Sequence, residues 1–420
     1  VKVAIVGGGL TGLSAALDLM DKTDVVIYER ERVLGGLASS YYQQGYHIEV
    51  FYHHLFTQDT CVMNLLKKLG LEKILEWRVA RVGYAFDSKV YPLNTPLEIM
   101  KFPYLTLFDT IRLSSFVLKA RYMNKEKFDG ISCVRGIKEN LGERLYNNFF
   151  EPLLRSKFGN NAEKVSYAWL LARVAVRSNR GLRGEKLGYL RGGFQQMIDR
   201  MVKRIEMKGT IKIGEGVKRI KRDDQVFILE TDMGIEKFDA VISTVPLPVL
   251  RQIAAFKLDL PDIKYQSSIC GLFALENQLL DDIYWLNVRG DYPFGAVIEH
   301  TNLMPLSDYG EHLIYTASYT DQNSPFMSMR SEDIARLHIR GLEKLGEVKV
   351  IWGKVAKAQY SGPIYEMGYM KKMPGYRTGM KGLYIAGMFS QPNYPERSME
   401  GSIKAGKECA KVLIKDFFRE

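Results

Sequence analysis

Two adjacent histidines, His53 and His54, sit inside the apolar run "GYHIEVFYHHLFTQD", residues 45–59, of a chain with six histidines in all. An imidazole titrates near neutral pH, so either ring could move a proton in a reaction. Successive side chains of an extended segment point to opposite faces, so the pair cannot readily share one metal ion. No third ligand stands beside them. The four cysteines, Cys61, Cys133, Cys270 and Cys409, lie far apart with no CxxC pair. No metal site is therefore expected, and the two histidines are left with catalysis or packing.

A second constellation stands at the start, "VKVAIVGGGLTGLSAALDLMDKTDVVIYERERVLGG". Gly7, Gly9 and Gly12 have the GxGxxG spacing. The first permits a tight turn, the second lets the backbone approach a pyrophosphate, and the third allows close helix–strand contact. Glu29 follows roughly 20 residues on, where a carboxylate accepts ribose hydroxyls and repels a 2′-phosphate. The elements that must position these groups are readable around them. Val3 to Val6 form a β-branched buried strand, "LSAALDLM" a helix and "VVIYE" a second strand. NAD or FAD would fit such a unit.

After Glu29 comes "ERERVLGGLASS", with a second glycine pair, Gly35 and Gly36. This pattern resembles the flavin-binding superfamily of amine oxidases, protoporphyrinogen oxidases, phytoene desaturases and UDP-galactopyranose mutases. "RGGFQQMIDRMVKRIEMKGTIKIGEGVKRI", "FDAVISTVPLPVL" and "GLYIAGMFSQPNYPERSMEGSIKAGKECAKVLI" resemble its later motifs. The resemblance implies FAD as cofactor. It extends the contacts from Gly7, Gly9, Gly12 and Glu29 to Arg30, Gly35, Gly36, Leu37, Val217, Gly387, Ser398 and Met399. Residues 399–414 read as a helix, whose N-terminus near Met399 would aim free N–H groups at the flavin pyrimidine.

The implied fold is α/β. A discontinuous Rossmann-like FAD-binding domain (1–80, 190–255 and 355–420) would carry an inserted α+β substrate domain (81–189 and 256–354). Residues 96–180 read as mainly helical, with "TLFDTIRLSSFVLKARYM" and "VSYAWLLARVAVRS" as helices. Strands are expected at "SSICGLFALE", "FGAVIEH" and "HLIYTASY", then a helix at "SEDIARLHIRGLEKL". The stretch from Leu93 to Met123 is apolar with interleaved cations. A core helix pair with solvated charges is the expectation, and a weak peripheral membrane contact the alternative.

Departures from the superfamily pattern narrow the chemistry. No lysine occurs in the strand around Cys270 and Gly271, where amine oxidases carry one near the flavin, and Ser398 stands where they often have tyrosine. Amine oxidation is not expected. "AKAQYSGPIYEMGYM" resembles the Pro-Tyr turn of the protoporphyrinogen-oxidase and desaturase branch, which would let Tyr360 and Tyr365 face flavin or substrate. Where the superfamily has "FDxGGH" beneath the isoalloxazine, this chain has Glu49 for the aspartate, Phe51 and Tyr52 for the glycines, and His53. The catalytic candidates are thus His53, His54 and Tyr365. Arg173, Arg177, Arg180, Arg183, Lys186 and Arg191 form a basic stretch suited to an anionic substrate or to a solvated surface.

With 420 residues, 46% hydrophobic and 25% charged, the chain can bury a large core. The net charge of +11 is spread out with no nucleic-acid motif, so the expected partner is a small molecule, anionic or lipid-linked. The chain starts directly in a strand, its cysteines are scattered, and no apolar run reaches the ~18 residues of a spanning helix. A cytoplasmic location is expected. The expected function is FAD-dependent hydride removal from a bulky, partly apolar substrate. The alternative is a non-redox isomerase of a nucleotide sugar, in which the reduced flavin acts as a nucleophile.

Overall fold

The computed structural model describes residues 1–86, 88–176, 180–181 and 184–418. A five-stranded parallel sheet runs in the order Thr210–Ile213, Asp24–Glu29, Lys2–Val6, Ala240–Ser243, Leu383–Ile385. Its inner strands are short, β-branched and buried on both faces, as parallel strands covered by helices must be. The first helix, Leu10–Leu19, crosses the terminal helix, Met399–Phe418, at a point set by glycine. A Cβ on Gly406 would stand 2.2 Å from the Thr11 carbonyl oxygen, and the Ser14 hydroxyl donates to the Ile403 carbonyl at 2.9 Å. The expected strand–helix–strand unit and terminal helix are both present.

A seven-stranded mixed sheet forms the second layer: Val350–Pro363, Tyr265–Leu275, His312–Thr320, Ala296–Glu299, Trp285–Arg289, Val82–Phe86, Lys89–Pro92. Every residue of Tyr265–Leu275 is buried. The expected strands at 267–276, 294–300 and 312–319 lie in this sheet, and the helix that follows them spans Ser331–Glu343. Val350–Pro363 is a single strand of the mixed sheet running through positions 354 and 355. A helical cap contains Leu107–Ala120, Cys133–Leu141, Glu151–Phe158 and Tyr167–Val176. Glycine is required where two of its helices touch, since a Cβ on Gly136 would meet the Tyr167 ring at 2.3 Å.

Of Leu93 to Met123, Leu93, Phe102, Leu105, Phe116 and Ala120 join the core as expected, but the helix keeps an apolar face outside. Leu107–Ala120 buries Asp109, Thr110, Phe116 and Ala120 and turns Leu107, Phe108, Ile111 and Leu118 to the outside. Helical periodicity reports an apolar stripe but not whether anything covers it, and this helix has a second apolar face beyond the one its neighbours bury.

Candidate functional site

The glycine turn is built by three hydrogen-bonded loops. Gly7 has φ +111° and lies against Thr244, whose hydroxyl donates to the Val6 and Gly7 carbonyls at 3.0 and 3.1 Å. A Cβ on Gly12 would sit 2.0 Å from the Gly7 oxygen. The Gly8 N–H donates to Glu29 Oε2 at 2.7 Å and the Glu31 N–H to Oε1 at 2.9 Å, which fixes the carboxylate at the end of the second strand. The second glycine pair is joined to the first turn through Gly35 N–H and the Gly8 carbonyl, 2.9 Å apart, and Leu37 follows partly buried in the short turn Gly36–Ala38. Gly214 and Glu215 donate to the carbonyls of Glu31 and Glu29, so the segment ending at Val217 runs beside the acid. Gly7, Gly9, Gly12, Glu29, Gly35, Gly36 and Val217 therefore converge at the carboxyl ends of the parallel strands, where dinucleotides sit in such sheets. Arg30 instead points to solvent and pairs with Glu31 at 3.1 Å.

The approach to the terminal helix is organised by Asn393, which is fully buried. Its Nδ2 donates to the Gly387 carbonyl at 3.2 Å, and its Oδ1 accepts from the Ser398 N–H at 3.1 Å. Ser398 Oγ then accepts from the Gly401 N–H at 3.0 Å and caps the helix, leaving Met399 in its buried first turn. Tyr365 belongs to this group: its hydroxyl donates to the Asn393 carbonyl at 2.7 Å and the Met388 carbonyl at 3.1 Å. Tyr360 packs elsewhere, edge-on to Tyr265 with ring centroids 5.5 Å apart.

Residues 49–54 cross the face of the mixed sheet. Glu49 is buried, and its carboxylate accepts from Tyr189 Oη at 2.6 Å and the Phe194 N–H at 2.7 Å. Burial raises its pKa, and those two hydrogen bonds oppose the rise. Tyr315 Oη holds the Glu49 carbonyl at 2.7 Å, and Tyr52 packs edge-on to Trp285 at 5.1 Å. The two histidines diverge. His53 Nδ1 lies 2.6 Å from the Phe51 carbonyl, which can only accept, so Nδ1 carries the proton and Nε2 is left as an acceptor. Burial lowers the His53 pKa to about 4, against the carbonyl hydrogen bond and with help from the Arg397 charge. His54 Nδ1 lies 3.1 Å from Tyr284 Oη, and its ring meets Phe56 and Trp285 edge-on. Among the described residues no group of three or more His, Cys, Asp or Glu could hold a metal ion.

Beside His53 lies a cation cluster drawn from distant parts of the chain. Arg173 Nη1 donates to Glu396 Oε1 at 3.2 Å, and Lys157 Nζ lies 3.8 Å from the same oxygen. Lys157 Nζ stands over the rings of Trp169 at 5.0 Å and Tyr319 at 5.4 Å. Arg397 faces Tyr319 from 5.9 Å, and Tyr319 and Tyr52 share a hydrogen bond of 2.9 Å. Burial works against the Arg397 charge, but Tyr319, Glu396, Tyr365 and Tyr52 outweigh it and raise its pKa. Of the basic stretch, Arg173 thus turns inward rather than to a solvated surface. Arg177, Arg183 and the side chain of Arg180 lie outside the described residues, Lys186 is exposed, and Arg191 pairs with Glu76. Lys157, Glu396 and Arg397 escaped sequence reasoning because Lys157 lies on Glu151–Phe158 and the other two on the segment before the terminal helix; the one signal was that Glu396 and Arg397 fall inside "GLYIAGMFSQPNYPERSMEGSIKAGKECAKVLI".

The sequence family described as flavin containing amine oxidoreductase matches residues 10–414. The 15-cis-phytoene desaturase of Arabidopsis thaliana is 24% identical over 469 residues, covering 99% of this chain and 80% of that protein. The coproporphyrinogen III oxidase of Staphylococcus aureus is 26% identical over 281 residues, 58% of this chain and 60% of that one. A solved structure of a putative protoporphyrinogen oxidase from Exiguobacterium superposes with a TM-score of 0.79 at 19% identity, covering 98% of both chains.

Proposed function

The chain belongs to the flavin-containing amine oxidoreductase family, and from that premise we propose that it is an FAD-dependent oxidoreductase acting on a bulky, partly apolar organic acid. FAD fits the residues present: side-chain-free turns at Gly7, Gly9 and Gly36, a carboxylate at Glu29 that accepts one hydrogen bond per oxygen and has lone pairs to spare, and a capped helix N-terminus at Met399. Bound there, FAD supplies the N5 acceptor for a hydride. The observation that carries the substrate class is the cluster of Lys157 and Arg173 at the carboxylate of Glu396 with Arg397 facing Tyr319 next to it, bordered by Trp169, Tyr319 and Tyr52. Three cations beside this anion favour an acidic group, and the aromatic rings favour apolar surface next to it.

In this reading Arg397, Arg173 and Lys157 anchor the substrate's acidic group and the rings exclude water from the part that reacts. His53 Nε2 accepts a hydrogen bond from the substrate. With a pKa near 4 it stays neutral at neutral pH, so it orients the substrate as a hydrogen-bond acceptor. Tyr365 and Ser398 keep the approach to the terminal helix in place, and His54 ties its segment to Tyr284. With four free cysteines, the reading places the protein in a reducing compartment, the cytoplasm. The test is anaerobic mixing of FAD-loaded protein with apolar carboxylic acids and their methyl esters, followed by flavin absorbance. Bleaching by an acid and not by its ester is expected. Protein that takes up no FAD, or that is bleached equally by both, would overturn the proposal.

A further inference from the structure

The helix Leu107–Ala120 and the short helix Pro96–Met100 before it leave large apolar side chains uncovered. Leu97 is 58% exposed, Leu107 63%, Phe108 70%, Ile111 59%, Leu118 69% and Tyr122 84%, and no other stretch of the described residues leaves so many outside. At about 100° of turn per residue, Leu107, Phe108, Ile111 and Leu118 fall within one sector of roughly 100°. Of the buried side chains, Asp109, Phe116 and Ala120 occupy the opposite side, and Thr110 lies between the two faces. This is the geometry of a helix lying flat in an interface rather than one packed in a core.

The charges identify the occupant. Lys101, Arg112, Lys119 and Arg121 are exposed along the same stretch. Its two acids are engaged: Glu98 with Arg81, and Asp109, buried, with the Thr106 backbone and Arg144. An apolar strip rimmed by cations would repel a second copy of itself and attract a surface that is apolar inside and anionic at its edge. No described helix is long and apolar enough to cross a membrane, so the contact stays at the surface. We propose that the outward face of Leu107–Ala120 docks the protein on an anionic phospholipid bilayer. The inner face of that helix stacks Phe116 on Tyr167, at 6.3 Å, in the helix that also carries Trp169 and Arg173. Docking would therefore hold the cation cluster one helix away from the lipid, where an apolar acid is concentrated.

The proposal is independent of flavin chemistry and is read without turnover. Purified FAD-loaded protein is floated with vesicles of phosphatidylcholine alone and of phosphatidylcholine mixed with phosphatidylglycerol. Flotation with the anionic vesicles, reduced by salt and weak with the neutral ones, is expected. The variant Phe108→Ser/Ile111→Ser/Leu118→Ser should lose binding by more than about tenfold while keeping its flavin spectrum and melting temperature. The fluorescence of Phe108→Trp should be quenched by brominated lipid beyond the quenching of the parent protein. Absence of flotation, equal flotation on both vesicle types, unchanged binding by the triple variant, or an added indole signal that ignores brominated lipid would each overturn it. So would a dimer that the triple variant dissociates, which would make the face a contact between copies.

Discussion

Arg173 and Glu396, 223 positions apart in the chain, meet at 3.2 Å and tie the last described helix of the helical cap to the segment that leads into the terminal helix. The contact is one-sided in charge. Glu396 is the carboxylate that faces both Lys157 and Arg173, and Arg397 follows it directly in sequence. Such a cluster is held together by its anion and favours the arrival of another.

Glu396→Gln should accordingly destabilise the protein and strengthen its hold on acids. Mutual repulsion of the cations, with both partners partly shielded from water, should cost about 1–2 kcal/mol. Thermal melting in the presence and absence of an apolar carboxylate is the measurement. The variant should melt below the parent without ligand and gain more from it. A variant that melts lower and gains nothing would leave the cluster a purely structural contact.

Buried imidazoles should cost the protein stability in acid. Burial lowers the pKa of His53 to about 4, of His338 to about 4 and of His300 to about 3. Between those values and the ordinary 6.5, the unfolded chain binds protons that the folded chain refuses. Stability from this source is therefore lost as pH falls from about 6.5 toward 4. Asp59 and Glu299 act in the opposite sense. Burial raises both to about 7, so the folded chain keeps protons that the unfolded chain releases, and their share is lost as pH rises toward 7. The His338 ring lies between the hydroxyls of Thr316 and Ser318, away from the flavin site, so His338→Gln isolates one contribution. Its denaturation midpoint should fall less steeply than the parent's between pH 6.5 and 4.5.

Gly406 offers a test of two competing effects. Alanine is favoured over glycine in a helix interior by about 1 kcal/mol. At this position the added Cβ would stand 2.2 Å from the Thr11 carbonyl oxygen and 3.0 Å from the Ala15 nitrogen, both backbone atoms that cannot swing away. Overpacking of this kind costs about 1–3 kcal/mol, so the clash should win. Gly406→Ala should lower the melting temperature and loosen bound FAD, because it pushes the terminal helix off the first one.

How much of this is readable in the sequence depends on range. The turn at Gly7–Gly12, Glu29 and the helix from Met399 are each specified by neighbours within a few dozen residues, and periodicity and glycine spacing suffice to place them. The pairing of Arg173 with Glu396 depends instead on how the mixed sheet and the helical cap close on each other. Lys157, Trp169 and Tyr319 look like ordinary surface or core residues until that closure brings them together. The face of Leu107–Ala120 is left undecided by the sequence for a different reason. Its pattern is visible, but whether a neighbour covers the stripe is a tertiary fact. His53 and His54 are expected on opposite faces, and their separate partners, the Phe51 carbonyl and Tyr284, follow from that alternation.

Tyr365 distinguishes positioning from catalysis. Its resemblance to the Pro-Tyr turn suggests a ring facing the flavin or substrate, yet its hydroxyl is already committed to the Asn393 and Met388 carbonyls, and the residue is 3% exposed. Burial holds its pKa well above the ordinary phenol value, so it remains a donor at every physiological pH. Tyr365→Phe keeps the ring and removes the donor, leaving two carbonyls in an enclosed loop without it, at about 1–3 kcal/mol. The expected result is a lower melting temperature and faster FAD loss, with the rate of flavin reduction nearly unchanged in the molecules that keep FAD. A variant of parental stability that retains FAD but is reduced roughly a hundredfold more slowly would put the Tyr365 hydroxyl among the reacting groups instead.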